Sequence, residues 1–409
     1  MTTSRLQTQA VRAGIATDQE HGAVIPPLHL STNFTFHALE QRRTYDYTRS
    51  GNPTRAVLEE ALADLEGGAA SVVTASGMAA VTLALQLVGV GETVVAPHDC
   101  YGGTMRLLRS YEQQGRIRLV VVDFQKADAL ERLRAAAPKL VWVETPSNPL
   151  LAITDIAAVT TAAHRVGALV VVDNTFLSPW LQSPLALGAD AVVHSTTKYL
   201  NGHGDVVGGA VVSRTSEVHE RIAFWGNCLG LTGAPFDAYL TLRGLRTLGA
   251  RWRVHQENAA AVVEALGSHQ AVRRVFYPGL TSHPGHALAA RQQRGFGAMV
   301  AVELDGGLEA VRRFTGALEL FCLAESLGGV ESLVAHPATM THASMSPADR
   351  AVAGIHDGLV RLSVGLESAS DLVADLTRAL EATRFTTAAS LHHDGRRERR
   401  AAVAHPTPG

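Results

Sequence analysis

The stretch Ala191–Gly209, AVVHSTTKYLNGHGDVVGG, sets a lysine just past a short apolar run. Ala191 to His194 read as a buried strand; Ser195, Thr196, Thr197 and Lys198 follow it, with glycines on both sides of His203. In an open α/β sheet, ligands bind in the crevice outside the carboxyl ends of the strands. A lysine placed there loses solvation, its pKa falls, and its free amine becomes available for Schiff-base chemistry. Upstream, ALVVVDN (Ala168–Asn174) reads as a strand covered on both faces, with Asp173 at its carboxyl end. Taken singly, each residue has an ordinary reading, the lysine as a solvated surface charge and the aspartate as a turn cap. Together, 25 residues apart on the ends of neighbouring strands, they can hold opposite edges of one ring. Pyridoxal phosphate needs that pair: the lysine carries its aldehyde as an imine, and the acid keeps the pyridine nitrogen protonated so that the ring accepts electrons.

A phosphate has a seat in the same pattern. Thr74, Ala75, Ser76, Gly77 and Met78 are small residues leading directly into a helix, whose first N–H groups and dipole favour an anion. Ser195 and Thr197 can add hydroxyl donors; the plain alternative is a helix cap by Ser76. No G-x-G-x-x-G and no G-x-x-x-x-G-K-[ST] occurs, so a dinucleotide or P-loop site is not supported. Ser195-x-x-Lys198 has the form of the S-x-x-K of serine acylases, but the S-D-N and K-T-G that must accompany it are absent.

These residues need a sheet to position them. From Ala69 the pattern alternates strand and helix with short links, which predicts a mostly parallel sheet with strands near Val72, Val94, Leu119, Val141, Val170 and Val192 and an antiparallel one near Val211. Residues 1–50 show no sustained period and read as an arm packed on another surface. Residues 51–249 read as the large domain, 250–384 as a smaller α/β domain, and 385–409, poor in large apolar residues, as a disordered tail. The tail's His392 and His393 are read as solvated rather than as metal ligands. The 409 residues, 46% hydrophobic, suffice for a large core, and a formal charge of −2 argues against nucleic acid or an anionic membrane as partner. Cys100, Cys228 and Cys322 form no CxxC pair, so neither a disulfide framework nor a thiolate metal site is expected. No signal peptide or membrane span is apparent, and a cytoplasmic location is expected.

The strings VVDNTFLSP, HSTTKYLNGHGDVVGG, YTRSGNPTR, ETPSNP, CYGGT and AESLGGVESL resemble the motif set of the Cys/Met-metabolism pyridoxal-phosphate enzymes over about Val11 to Arg384. That resemblance implies the fold-type I, aspartate aminotransferase-like architecture. It gives Lys198 the imine and the proton transfers, and Asp173 the ring nitrogen. It implies that Gly77, Met78, Ser195 and Thr197 hold the phosphate, with Tyr47 and Arg49 reaching it from a neighbouring subunit. Tyr101 would stack on the ring, Asn148 would bond its hydroxyl, and Arg361 with Ser326 would clamp the substrate carboxylate as a bidentate fork. Glu325 would meet the substrate amino group, and Asp46 and Arg106 would line the mouth. Within the family, VIPPLHLS, APHDCYGG and DYTRSGNPTR point to the branch that builds cystathionine. The implied reaction is γ-replacement on an O-acylhomoserine, the succinyl ester, by cysteine. The alternatives are elimination from cystathionine, at its γ or β carbon, and sulfhydrylation of O-acetylhomoserine. A homotetramer, a dimer of dimers with shared sites, is the implied assembly.

Lys198→Ala removes an imine-forming amine and a base without altering the apolar run that carries them. Turnover is expected to vanish while the far-UV circular dichroism and melting curve stay close to wild type; substantial residual activity would remove Lys198 from the chemistry.

Overall fold

Runs of β-branched residues alternate with capped helical segments from Ala69 onward, and in the computed structural model of the chain, which describes residues 3–343, 350 and 353–383, they form two sheets. The larger comprises β1 (Ala70–Thr74), β2 (Thr93–Pro97), β3 (Arg118–Val122), β4 (Leu140–Glu144), β5 (Leu169–Asp173), β6 (Ala191–His194) and β7 (Gly209–Ser213), in the order β1-β7-β6-β5-β4-β2-β3. Only β7 runs against the others. Each strand expected from the sequence is among these seven. The helices Gly77–Ala84, Gly102–Gln113, Ala129–Ala135 and Ile156–His164 lie between the strands, as the alternation requires.

Side chains leave a strand on alternate faces, so Val192 enters one buried cluster and Val193 another on the opposite side of the sheet. Both faces are therefore covered, which is why β2, β4, β6 and β7 are buried at every position. The smaller sheet comprises β8 (Val272–Phe276), β9 (Met299–Leu304), β10 (Cys322–Leu323), β11 (Leu333–Ala335) and β12 (Leu359–Ser363), in the order β10-β11-β12-β9-β8. It is antiparallel except for the β10–β11 pair.

One sequence expectation needs adjustment. The arm is not without regular structure: Thr3–Arg12 is a helix, and Leu6 and Ala10, four residues apart on one face, are both 1% exposed. Ten residues offer too few turns for the period to stand out, and tertiary packing supplies what propensity does not. Residue 249, where the large domain is read to close, lies near the start of a continuous 21-residue helix, Leu248–Ser268. Helices Ser216–Leu229 and Pro235–Leu245, which were not anticipated, precede it.

Between the arm helix and the sheet, a turn in which the Ser50 and Gly51 N–H groups both donate to the Tyr47 carbonyl leads into the next helix. Asn52 caps helix Pro53–Glu66, its side chain accepting from the N–H groups of Thr54 and Arg55, and Gly67 ends it in the left-handed conformation at φ 75°. Asn52 Nδ2 also donates to the His29 carbonyl at 3.0 Å, and so ties the arm to the helix. The expected tail, 385–409, lies outside the described residues. Among these, no helix is long and apolar enough to cross a membrane.

Candidate active site

Parallel strands deliver their last residues to one edge of the sheet. β4 ends on Glu144, β5 on Asp173 and β6 just before Ser195, and β1 leads through Ser76 into helix Gly77–Ala84. These ends border a cavity of about 420 Å³, within the range of about 300–1,000 Å³ usual for small-molecule sites. Glu325, Ser326 and Arg361 line it from the side of the smaller sheet. The structure thereby brings together Lys198, Asp173, Gly77, Met78, Ser195, Thr197, Asn148, Tyr101, Arg361, Ser326 and Glu325.

Lys198 Nζ donates to Ser326 Oγ at 2.7 Å. Burial first and the Arg361 charge second, against the opposing pull of Glu325, lower its pKa to about 8. Asp173 accepts from the Thr175 N–H at 3.0 Å, and burial pushes its carboxyl up. Arg361, buried in β12, donates from Nη1 to Asn148 Oδ1 at 3.1 Å and from Nη2 to the Ser326 carbonyl at 2.8 Å. Its Nε is buried without an acceptor among the described residues, so part of the fork remains to be satisfied by something in the cavity. Ser326 holds φ 88°, a left-handed conformation that is costly for a residue with a Cβ, where its carbonyl meets Arg361 and its hydroxyl meets Lys198.

The phosphate seat also takes shape. Ser76 Oγ caps helix Gly77–Ala84 by accepting from the Ala79 N–H at 3.0 Å, leaving the N–H groups of Gly77 and Met78 in the first turn, where a helix has no internal acceptors. A Cβ at Gly77 would stand 2.7 Å from Ser195 Cβ, so only glycine permits the close approach of these two segments. Thr197 Oγ1 accepts from the Gly208 N–H at 3.0 Å, and Thr175 Oγ1 accepts from the Ser195 N–H at 2.9 Å.

Four of the residues named from the sequence are not brought into this cavity. Arg106 is exposed on helix Gly102–Gln113 and lines a neighbouring cavity of about 700 Å³, which shares Asn148 with the first. Asp46, Tyr47 and Arg49 stay on the arm. There Arg49 Nη1 donates to the backbone and side-chain oxygens of Asn227 at 2.7 and 2.6 Å, and Asp46 pairs with Arg42. Conversely, Glu144 and Thr175 line the cavity and had drawn no attention. The signal for Glu144 was there to read: it ends a continuous apolar run, LVWVE, just as Asp173 ends LVVVD.

The chain matches the family model described as Cys/Met metabolism PLP-dependent enzyme over residues 7–381. It belongs to that family. A cystathionine γ-synthase of Escherichia coli is 52% identical over 93% of this chain and 99% of its own length. A solved cystathionine γ-synthase of Xanthomonas oryzae pv. oryzae, in complex with aminoacrylate and cysteine, is 60% identical with a TM-score of 0.91, covering 92% of this chain and 98% of that one. A cystathionine γ-lyase of Dictyostelium discoideum is 44% identical over 92% of this chain and 98% of its own length. As a member of the family the chain is a pyridoxal-phosphate enzyme acting on small amino acids, with the α/β fold of its relatives. Its cavity fits that cofactor: a buried carboxyl stands ready for a cationic ring nitrogen, an amine of lowered pKa for an aldehyde, and a helix N-terminus for a phosphate.

Because the free amine is the reactive form, labelling of Lys198 in cofactor-free protein by a trace acylating reagent is expected to rise through pH 8, far below the ordinary 10.5. Arg361→Met takes away a repelling charge and should move the midpoint upward. Burial, the larger cause, persists, so the midpoint stays below 10.5. A wild-type midpoint near 10.5 would contradict the buried-amine account.

Proposed function

We propose that the protein catalyses γ-replacement, joining an O-acylhomoserine, the succinyl ester, to cysteine to give cystathionine and succinate. The observation that supports this most strongly is the 60% identity to a cystathionine γ-synthase whose solved complexes hold aminoacrylate with cysteine, and cystathionine. Elimination from cystathionine is the second reading, favoured by the γ-lyase relative at 44% identity.

In this reading pyridoxal phosphate, held by Lys198, by Asp173 at its ring nitrogen and by Gly77, Met78, Ser195 and Thr197 at its phosphate, supplies an electron sink. Tyr101 would cover the ring, and the amide NH₂ of Asn148 would donate to the ring hydroxyl. Arg361 binds the substrate α-carboxylate through the fork edge that includes its unpaired Nε, next to Ser326. The negative charge of Glu325 holds the incoming amino group. Lys198 Nζ, free as an amine, would take the Cα proton, give it up to the electron sink, and only then take a Cβ proton, each carbon regaining its proton before product leaves. The bond from Cγ to the acyl oxygen breaks, succinate leaves, and the cysteine thiolate forms a carbon–sulfur bond at that same carbon. Absorbance of the pure protein, followed by product analysis with O-succinylhomoserine plus cysteine and with cystathionine alone, tests the reading. Cystathionine must form in the first mixture faster than it breaks down in the second.

We take Arg106, which lines the neighbouring cavity that shares Asn148 with the first, to meet the distal carboxylate of a succinyl ester, an interaction that an acetyl ester cannot offer. Arg106→Ala is expected to raise KM for O-succinylhomoserine far more than for O-acetylhomoserine. Equal effects on the two esters would show that Arg106 does not read the acyl end.

We further infer a homotetramer built from dimers in which Tyr47 and Arg49 complete the partner's phosphate site, and a cytoplasmic location, in keeping with three free cysteines. The arm supports the first inference. It leaves Val24, Leu30 and Leu39 exposed, Leu39 to 92%, and its Arg49 lies outside its own cavity. Arg49→Ala and Lys198→Ala would then damage different subunits of each site, so a mixed dimer keeps one intact site. Co-refolding the two inactive variants is expected to restore up to about one quarter of wild-type activity for random pairing. No recovery, with mixed dimers formed, would mean that Arg49 serves its own chain.

A further inference from the structure

We propose that Glu144 is a positioning residue: by accepting the Tyr101 backbone N–H it fixes the Tyr101 ring over the cofactor, an inference that rests on the ring-covering role given to Tyr101 above. Tyr101 is the residue before helix Gly102–Gln113 and makes no side-chain cap of its own. The residue is 45% exposed and lines the cavity, so packing alone holds it on few sides. Two restraints act on it. One is Gly103, where a Cβ would come 2.5 Å from Tyr101 Cε1 and 2.9 Å from Met78 Sδ, so the ring lies down on the first helical turn, next to a residue of the phosphate seat. The other is the 2.7 Å hydrogen bond from the Tyr101 N–H to Glu144 Oε2, which pins the backbone from which the ring extends.

Glu144 suits this task. It ends β4 opposite Asp173 at the end of β5, so both carboxyls border the one cavity from adjacent strands. Its side chain is buried, and Asp173, Asp99 and the Cys100 thiol are the titratable groups around it, none of them cationic. Burial first, and the Asp173 charge second, push its pKa well above the usual carboxylate range. Of two carboxyls at one site, one is then free to serve the ring nitrogen as an anion while the other stays neutral and acts as a hydrogen-bond acceptor.

The test compares Glu144→Gln, Glu144→Leu, Glu144→Asp and Tyr101→Ala as holoenzymes. It reads the visible circular dichroism of the bound cofactor, kcat and KM separately, and far-UV circular dichroism for the fold. Glu144→Leu should keep the fold, alter the cofactor band in the direction of Tyr101→Ala, and lose about tenfold or more in kcat/KM, the scale of one lost hydrogen bond to a buried donor. Glu144→Gln, a neutral acceptor of the same length, should restore band and rate to within about threefold; Glu144→Asp, one methylene short, should not. If Glu144→Leu does not fold, the contrast between the Gln and Asp variants carries the test, and equal bands in those two overturn the proposal. A changed band in Tyr101→Ala with an unchanged one in Glu144→Leu overturns it as well, and leaves the role of Tyr101 standing. Unchanged bands in both overturn the role of Tyr101 and the inference with it. Damage in Glu144→Gln equal to that in Glu144→Leu would mean that charge, not a neutral acceptor, is required.

Discussion

Lys198 and Asp173 border the same cavity from the ends of adjacent strands, and burial drives each toward its neutral form. No hydrogen bond or ion pair joins them; Lys198 bonds Ser326 and Asp173 bonds Thr175. A direct ion pair would have held both in their charged forms and filled the space between them. Kept apart, the amine is nucleophilic near neutral pH and the carboxyl is available to a cation. A ring with an aldehyde on one side and a basic nitrogen on the other satisfies both residues at once. The rest of the site is arranged around that separation.

Keeping the strand ends in place falls to a buried polar network on the far side of β6. Glu66, at the end of the first long helix, accepts from His194 Nε2 at 2.6 Å and from Asn174 Nδ2 at 2.9 Å. Gln182 joins Asn174 Oδ1 to the Thr145 carbonyl, both at 3.0 Å. The residues that follow or end β4, β5 and β6 are thus linked by side chains that solvent does not reach, where each bond is costly to leave unmade. Beyond Lys198, Arg251 holds the carbonyls of Tyr199 and Gly244 at 2.7 and 2.9 Å, with no carboxylate partner among the described residues. Tyr199 stacks on Trp252 of the same helix, with ring centroids 4.2 Å apart. The lysine loop is therefore braced from the helix that joins the two sheets.

Substrate recognition comes from a different layer. β12 carries Arg361 through the middle of the smaller sheet, and the strained turn at Ser326 brings a carbonyl to Arg361 and a hydroxyl to Lys198. One short segment thereby couples the carboxylate fork to the reactive amine. The coupling is electrostatic as well, since Arg361 is the charge that lowers the lysine beyond the effect of burial.

The sequence by itself determined the alternation of elements and the chemistry at their ends. Val192, Val170 and Val141 announce buried strands because a strand covered on both faces must be apolar throughout, and whatever polar residue follows such a run is carried to the sheet edge. Lys198 and Asp173 were legible for that local reason. Only the tertiary structure decided which distant residues share the cavity. That Arg361 meets Asn148 across 213 positions, that Ser326 accepts from Lys198 across 128, and that Glu144 reaches back 43 to the Tyr101 N–H follow from packing one sheet against the other and one strand end against the next helix. The arm helix belongs to the same class, since its position is set by the surface it covers and not by its own periodicity.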